Sequence, residues 1–339
     1  MDTNLAPDIA SRAASLHASA IVIDGSIVVE QTDSHFTRAR AGGVTAINHT
    51  VPEPYASLQS SLIQVNRFKA WVASHPGDAL IATCIADIHE AKRSGKEAII
   101  LGPQDTEMIG LDLDLIGTFH DLGIRIMQLT YQRQNWIGTG CGEAEDSGIT
   151  KYGREFIRHM NERGIVVDVS HAGQKSTVQA MEASSKPIMI THSFCATLSP
   201  HIRAKSDDTI RELGRHGGVM GITGLSPYLY HPDAPTKQPD IARFVEHVKH
   251  VVDLAGINSV AIGLDYDETF TPEKRAEGAR KHGPLLGTWP WPERRCKTLD
   301  NASGMPNITV GLLAAGFSDE DVLKILGGNW LRVMAASWS

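Results

Sequence analysis

The chain has little of what marks a secreted, membrane or nucleic-acid-binding protein. Only four cysteines occur in 339 residues, Cys84, Cys141, Cys195 and Cys296, far apart and without CxxC spacing. They read as reduced thiols of a cytoplasmic protein, with two disulfides the alternative that counting leaves open. There is no Lys/Arg run, no zinc-finger spacing and no RNA-binding aromatic pattern, and the net charge of -7 serves solubility, so nucleic acid is not an expected partner. No segment approaches the ~18 uninterrupted apolar residues of a membrane span. The first 25 residues lack a charged leader followed by a long apolar region, and their apolar run is broken by Asp24. The expectation is a soluble, unsecreted protein with no membrane partner. No GxGxxG follows the first strand, which weakens the case for an open, dinucleotide-binding sheet.

What is present points to a barrel. With 42% hydrophobic residues the chain can fill a large core, as one big α/β barrel or two smaller domains. Short apolar runs rich in β-branched residues start near 21, 44, 98, 124, 165, 187, 218 and 260. Most are separated by helical stretches such as 55–74, where Leu58, Leu62, Val65, Phe68 and Val72 recur at three- and four-residue steps. Eight such units call for parallel pairing and closure, and predict a single (β/α)8 TIM barrel over residues 1–339. The run 79–85 is surplus and is expected as an edge pairing outside the barrel. Asp87 is expected to cap the helix that ends at Gly95. Residues 306–336 should form two closing helices, the first capped near Asn307 and the second starting at Ser318 in the pattern SDED. The stretch 268–306 reads as a long ordered loop near the barrel mouth, and its Trp- and Pro-rich part, 284–292, covers either the site or a neighbouring subunit of a homodimer.

The chemistry concentrates in residues 165–203. Two buried strands, 165–169 and 187–190, each lead into a histidine preceded by Ser or Thr, with about 16 residues of helix formers between them. One crossover therefore sets His171 and His192 side by side at the C-terminal strand ends, where barrels of this kind place their chemistry. Two neutral imidazoles on adjacent strand ends suit a divalent transition metal such as zinc, while hydrogen bonding alone is the plainer reading of each. Asp265, at the end of the last strand, faces the same mouth and suits a general base, or else caps the following segment. Arg203 lies on the loop above the second histidine strand and suits a substrate carboxylate, or is a solvated loop arginine. Tyr131, Gln104, Asp24 and His49 also occupy strand ends, either lining the site or filling the top layer of the barrel. The Gly-rich loop after Tyr131 contributes Cys141 and Glu143 as weaker candidates for a ligand.

At these residues the sequence resembles the membrane (renal) dipeptidase family of zinc metallopeptidases. The matching motifs are DVSH at 168–171, THS at 191–193 with Arg203 beyond it, and GLDYD at 263–267. VIDG at 22–25, LGIR and QLT within 122–130, and GGNWLRV at 327–333 extend the likeness over nearly the whole chain. The resemblance implies an amidohydrolase-like barrel with a metal-dependent hydrolase site. In the family, two zinc ions share a bridging glutamate, one taking an H-x-D pair and the other two later histidines, which carry over as His171 and His192. The rest of the pattern departs: Ser26 and Val28 stand at the H-x-D positions, Gln104 at the bridging glutamate, and Tyr131 at a substrate-contacting histidine. The chain thus resembles a divergent bacterial branch, associated with catabolism of methylated amines, that lacks the H-x-D pair.

These departures leave too few ligands for two ions, so one divalent metal, zinc by expectation, is predicted on His171 and His192, with Asp265 or Asp24 to complete it. The leading expectation is a hydrolase of a small amide or dipeptide-like substrate. Asp265 would be the catalytic base, and Arg203, Tyr131 and Gln104 the substrate contacts. Two alternatives stand beside it: other C–N bond chemistry on a small methylated amine, and a catalytically silent binding protein on the same barrel.

Overall fold

Short runs buried on both faces pair as parallel strands, and the computed structural model places them within residues 7–269, 271, 273, 276, 280 and 295–338, the residues it describes. The loop expected at 284–292 lies outside the described residues. In chain order the strands are β1 (Ile23–Val28), β2 (Ala46–His49), β3 (Ala79–Ile81), β4 (Glu97–Leu101), β5 (Ile126–Gln128), β6 (Val166–Asp168), β7 (Met189–Ser193), β8 (Val219–Ile222), β9 (Val260–Ile262) and β10 (Tyr266–Asp267). They form two five-stranded parallel sheets, ordered β10-β1-β2-β4-β3 and β5-β6-β7-β8-β9.

Two seams join the sheets. β9 and β10 are halves of one run, β9 pairing with β8 and β10 with β1. The break between them centres on Asp265, which takes a left-handed φ of 59°. Across it the Leu264 N–H donates to Asp24 Oδ1 at 2.8 Å and the Asp265 N–H to Ser26 O at 3.0 Å. At the other seam Leu101 pairs with Ile124, and the Arg125 N–H reaches Leu101 O at 3.1 Å. Hydrogen bonding therefore passes through eight strand positions, as a (β/α)8 barrel requires. The surplus strand β3 pairs with the first half of β4 and leaves the second half to the β5 seam.

The interior is filled from the N-terminal end. After Ser318, whose Oγ accepts from the Asp321 N–H at 3.1 Å as the SDED pattern predicts, the chain runs through a helix (Asp319–Leu323), a π turn (Lys324–Gly328) and a last helix (Asn329–Ser337). Trp330 on that helix is fully buried and donates its indole N–H to Ile262 O at 3.0 Å. The ring leaves no space on the facing strands: a Cβ on Gly25 or Gly221 would stand 2.5 or 2.9 Å from Trp330 Cζ2. The same glycines, with Gly263, also admit the Thr191 carbonyl, which would lie 2.5, 2.2 and 1.8 Å from a Cβ at positions 25, 221 and 263. β7 shifts register against β8 between Ile190 and Ser193. Three strands thus give up side chains so that β7 can swell inward just before His192.

Two helix starts differ from expectation. The helix Ile85–Ser94 is capped at Cys84, and Asp87 is its third residue, its carboxylate accepting from the Thr83 and Cys84 N–H groups at 2.8 and 3.1 Å. A carboxylate one turn in can serve the same orphan donors, which is why the sequence misplaced the cap. The first closing helix is Met305–Ala314 with Pro306 in its first turn, and Asn307 instead donates its side chain to Thr298 O at 2.9 Å.

A buried ionic cluster ties the outer layer to the last strand. His35 on the helix Asp33–Ala41 is fully buried, with Nδ1 2.7 Å from Glu268 Oε2 and Nε2 2.7 Å from Glu97 Oε2. Arg38 Nε donates to Glu268 Oε1 at 2.9 Å. Burial alone would lower the pKa of His35, but the hydrogen bonds and charges of Glu268 and Glu97 outweigh it and raise it to about 9. Burial would likewise raise Glu268, and the bonds from His35 and Arg38 reverse this, holding it at about 2. The raised histidine contributes stability that is full below its ordinary 6.5 and is lost as pH rises through about 9. The lowered carboxylate contributes stability that is full above 4.5 and is lost as pH falls through about 2. In urea unfolding, the gap in stability between the native chain and His35→Gln should be widest between those two ordinary values and narrow steadily from pH 6.5 to 9. A gap that stays flat across that range would show that His35 is not held as the imidazolium.

Candidate active site

β6 and β7 end side by side because the helix Gln174–Ala183 returns the chain parallel to its start. Their ends bring His171 and His192 together, with Nε2 2.9 Å from Nε2, and both side chains are buried. The spacing of the two histidine strands therefore places the pair as expected. Asp265 Oδ1 comes to 3.9 Å from His192 Nε2. It is carried there by the left-handed turn that splits the last strand, a conformation that Asp tolerates better than most residues. Tyr131 stacks on the His171 ring, centroids 4.2 Å apart at 24°, and burial pushes its phenol well above its ordinary range, so it stays protonated.

Two basic side chains lie buried beside the pair. Arg203, read from the sequence as a loop arginine, is 1% exposed. Its Nη1 donates to Ser170 O, the carbonyl just before His171, and its Nη2 to the carbonyl of His192 itself at 3.4 Å, while Nε is buried without an acceptor among the described residues. Lys205 donates to Val169 O, Ala172 O and Thr177 Oγ1 at 2.8 to 2.9 Å, clamping the turn that carries His171. Burial, and then the charge of Arg203, pushes Lys205 down to about 7. Burial first, then Arg203 and Lys205, also holds His192 well below its ordinary pKa and hence neutral, the form in which imidazole binds metal.

The other candidates are placed away from the pair or held by local bonds. Asp24 bridges the seam through Leu264 and Ser26 N–H groups, and burial raises its pKa to about 7. His49 stacks on Phe68 of the helix Leu58–Ala73 at 3.9 Å and accepts from the Val29 N–H, so it faces the helix layer and neither lines the site nor fills the inside of the barrel. The Cys141 thiol lies against Arg203, and burial keeps its pKa raised. Glu143 accepts from the Gln134 N–H within its own loop. Gln104 donates its side-chain N–H groups to Ser26 Oγ at 3.2 Å and Thr50 Oγ1 at 2.8 Å.

That last arrangement tests the metal chemistry that the resemblance implies. Gln104, Ser26 and Thr50 form a neutral hydrogen-bond net whose central group is an amide donor, and these three side chains offer neither a charged oxygen nor an imidazole to a cation. A second ion does not fit there. Around His171 and His192 the donor set does suit one ion: two imidazole nitrogens at a common point, one of them held neutral, with a carboxylate beside them. No three His, Cys, Asp or Glu side chains among the described residues are grouped closely enough to hold a metal ion, so such an ion would rest on the two imidazoles and on Asp265 drawing nearer.

The sequence missed the residues behind the pair, Asp168, Thr191 and Lys205. A signal existed for two of them, since DxSH and TH set short hydroxyls next to each histidine. A lysine two residues after an arginine in a polar loop carries no sign of burial. A cleft of about 520 Å³ on the outer wall, lined in part by Asp208, Arg211, Glu212 and Arg215, is no rival site. Four of its charges are already paired, Arg211 with Asp208 at 2.8 Å and Arg215 with Glu212 at 2.7 Å.

Known proteins share this fold. Over 282 residues the chain is 27% identical to dipeptidase tcpJ of Claviceps purpurea, covering 83% of this chain and 60% of that one. It is 26% identical over 286 residues to dipeptidase verJ of Clonostachys rogersoniana, at 84% and 66% coverage. The chain thus spans about two thirds or less of these relatives' length. Among solved structures, an amidohydrolase from Pseudomonas aeruginosa superposes with a TM-score of 0.88 at 29% identity, over 96% of this chain and 99% of that one. A metallo peptidase from Rhodobacter sphaeroides, liganded with a phosphinate mimic of the dipeptide L-Ala-D-Ala, shares the fold with a TM-score of 0.77 at 18% identity, over 94% and 100%. The family profile described as membrane dipeptidase (peptidase family M19) matches residues 13–286, four fifths of the chain, and with the histidine pair at its barrel mouth this chain belongs to that family.

Proposed function

We propose that the chain is a metal-dependent hydrolase that cleaves the amide of a small, dipeptide-like substrate. The reading is carried by the His171–His192 contact at 2.9 Å with Asp265 Oδ1 3.9 Å away, on a barrel of the dipeptidase family. One divalent cation, zinc by expectation, would be held by His171 and His192 and would supply Lewis acidity toward the amide carbonyl and toward water. Asp265 takes the proton of the attacking water on its carboxylate and returns it to the leaving nitrogen, as a general base and then acid. Arg203 Nε, a buried donor without an acceptor among the described residues, gives its N–H to a substrate carboxylate oxygen. Tyr131, held as the phenol against His171, donates a hydrogen bond to the substrate. Gln104 orders the far side of the mouth through Ser26 and Thr50.

A catalytically silent binding protein is the second reading, supported by the neutral net around Gln104 and the small number of candidate ligands. Elemental analysis of protein purified without a histidine tag separates the two. About one equivalent of divalent metal is expected, with dipeptide hydrolysis that is lost to a chelator and restored by added zinc. Metal-free protein that stays inert in zinc would favour the binding protein. Metal without dipeptide hydrolysis would turn the search to C–N bonds of methylated amines.

A further inference from the structure

We infer that Thr191 and Asp168 are positioning residues that fix the tautomer of His192, with the proton on Nδ1 and the lone pair on Nε2. The four groups are buried together, none more than 2% exposed: Asp168, Ser170, Thr191 and His192. Asp168 accepts from every donor around it. Its Oδ1 takes the Ser170 hydroxyl at 2.5 Å, the Ser170 N–H at 2.9 Å and the Thr191 N–H at 3.1 Å, and its Oδ2 takes the Thr191 hydroxyl at 2.6 Å. A hydroxyl has one proton, and that of Thr191 is on the carboxylate. Toward His192 Nδ1, 2.9 Å away, Thr191 Oγ1 therefore presents only a lone pair, so Nδ1 must be the donor. The Ser170 hydroxyl does not interfere, because its own proton lies on Asp168 Oδ1.

The consequence reaches the site. With Nδ1 protonated, the neutral ring carries its lone pair on Nε2, the atom that meets His171 Nε2 at 2.9 Å. In the cation-free protein His171 supplies the one proton between the two nitrogens; to hold a cation on both Nε2 atoms, His171 would have to carry that proton on Nδ1 instead. The chain Asp168, Thr191, His192 thus has the form of a carboxylate that orients an imidazole through an intervening hydroxyl, so the ring is set before any ligand arrives. Asp168 is in register with Met189, and the inward swelling of β7 after Ile190, allowed by the three glycines, lets the Thr191 hydroxyl reach back to the Asp168 carboxylate. Only the effect on cation binding rests on the proposed function; the tautomer stands on the hydrogen bonds.

The test uses the full chain labelled with ¹⁵N-histidine, cation-free, and compares it with Thr191→Val and Thr191→Ser. The native protein should show His192 with a protonated Nδ1 and an unprotonated Nε2. Thr191→Val should lose that pattern with its circular dichroism retained, and Thr191→Ser should recover it. In calorimetric titration with zinc ion alone, Thr191→Val should bind about 10- to 100-fold more weakly and Thr191→Ser close to the native level. His192 protonated on Nε2 in the native protein would overturn the inference, as would an unchanged pattern in Thr191→Val. A native protein with the expected tautomer but no zinc uptake would uphold the inference and sink the hydrolase reading instead.

Discussion

Replacing His171 by alanine is expected to abolish dipeptide hydrolysis and to leave the barrel folded. His171 sits on a turn clamped independently by Lys205, and its ring contacts Tyr131 and His192. The side chain removed is one of two imidazoles for the cation, and Lewis-acid activation is worth several kcal/mol of barrier. The loss should therefore be on the order of 10³-fold or more in kcat/KM. His192→Ala should do the same, and the double variant should be no worse than either single one, because both act through one bound ion. Hydrolysis that survives either substitution undiminished would remove the site assignment. An effect on stability alone, with the rate per folded molecule intact, would mean that the pair is a structural hydrogen bond.

The largest effect on stability is expected from Trp330→Ala. The indole is the largest fully buried side chain described and fills the barrel from below. Its loss should cost about 3–5 kcal/mol, read as a lowered urea midpoint with the slope unchanged. Filling the space from the other side should not help. Although Gly221→Ala points at the vacated ring, its Cβ would still stand 2.2 Å from the Thr191 carbonyl. Combining Gly221→Ala with Trp330→Ala should therefore deepen the loss, and recovery in the double variant would contradict the close packing of β7 on the glycine strands.

Much of this was legible in the sequence. Strand starts at eight places were readable because strands buried on both faces need unbroken β-branched runs, and the runs at 165 and 187 led directly into the histidines. The barrel seams were less so. The final run GLDYD reads as one strand, and only the three-dimensional demand on Asp265 splits it. Arg203 and Lys205 mislead in the other direction, since charged loop residues normally face water and here the loop folds back over the β6 and β7 ends. The family motifs named the residues that stand at the departing positions, such as Ser26 and Gln104, but not the hydrogen bonds they make, because a bond such as Gln104 to Thr50 joins positions 54 residues apart.

Trp330 comes after all ten strands of the described residues. During synthesis every residue of the candidate site leaves the ribosome before the side chain that props up the barrel centre. A nascent chain stopped before the last helix should hold the histidine strands as a hollow, loosely ordered sheet exposed to proteases. Assembly of the active mouth would then wait on the arrival of an aromatic ring at the opposite pole.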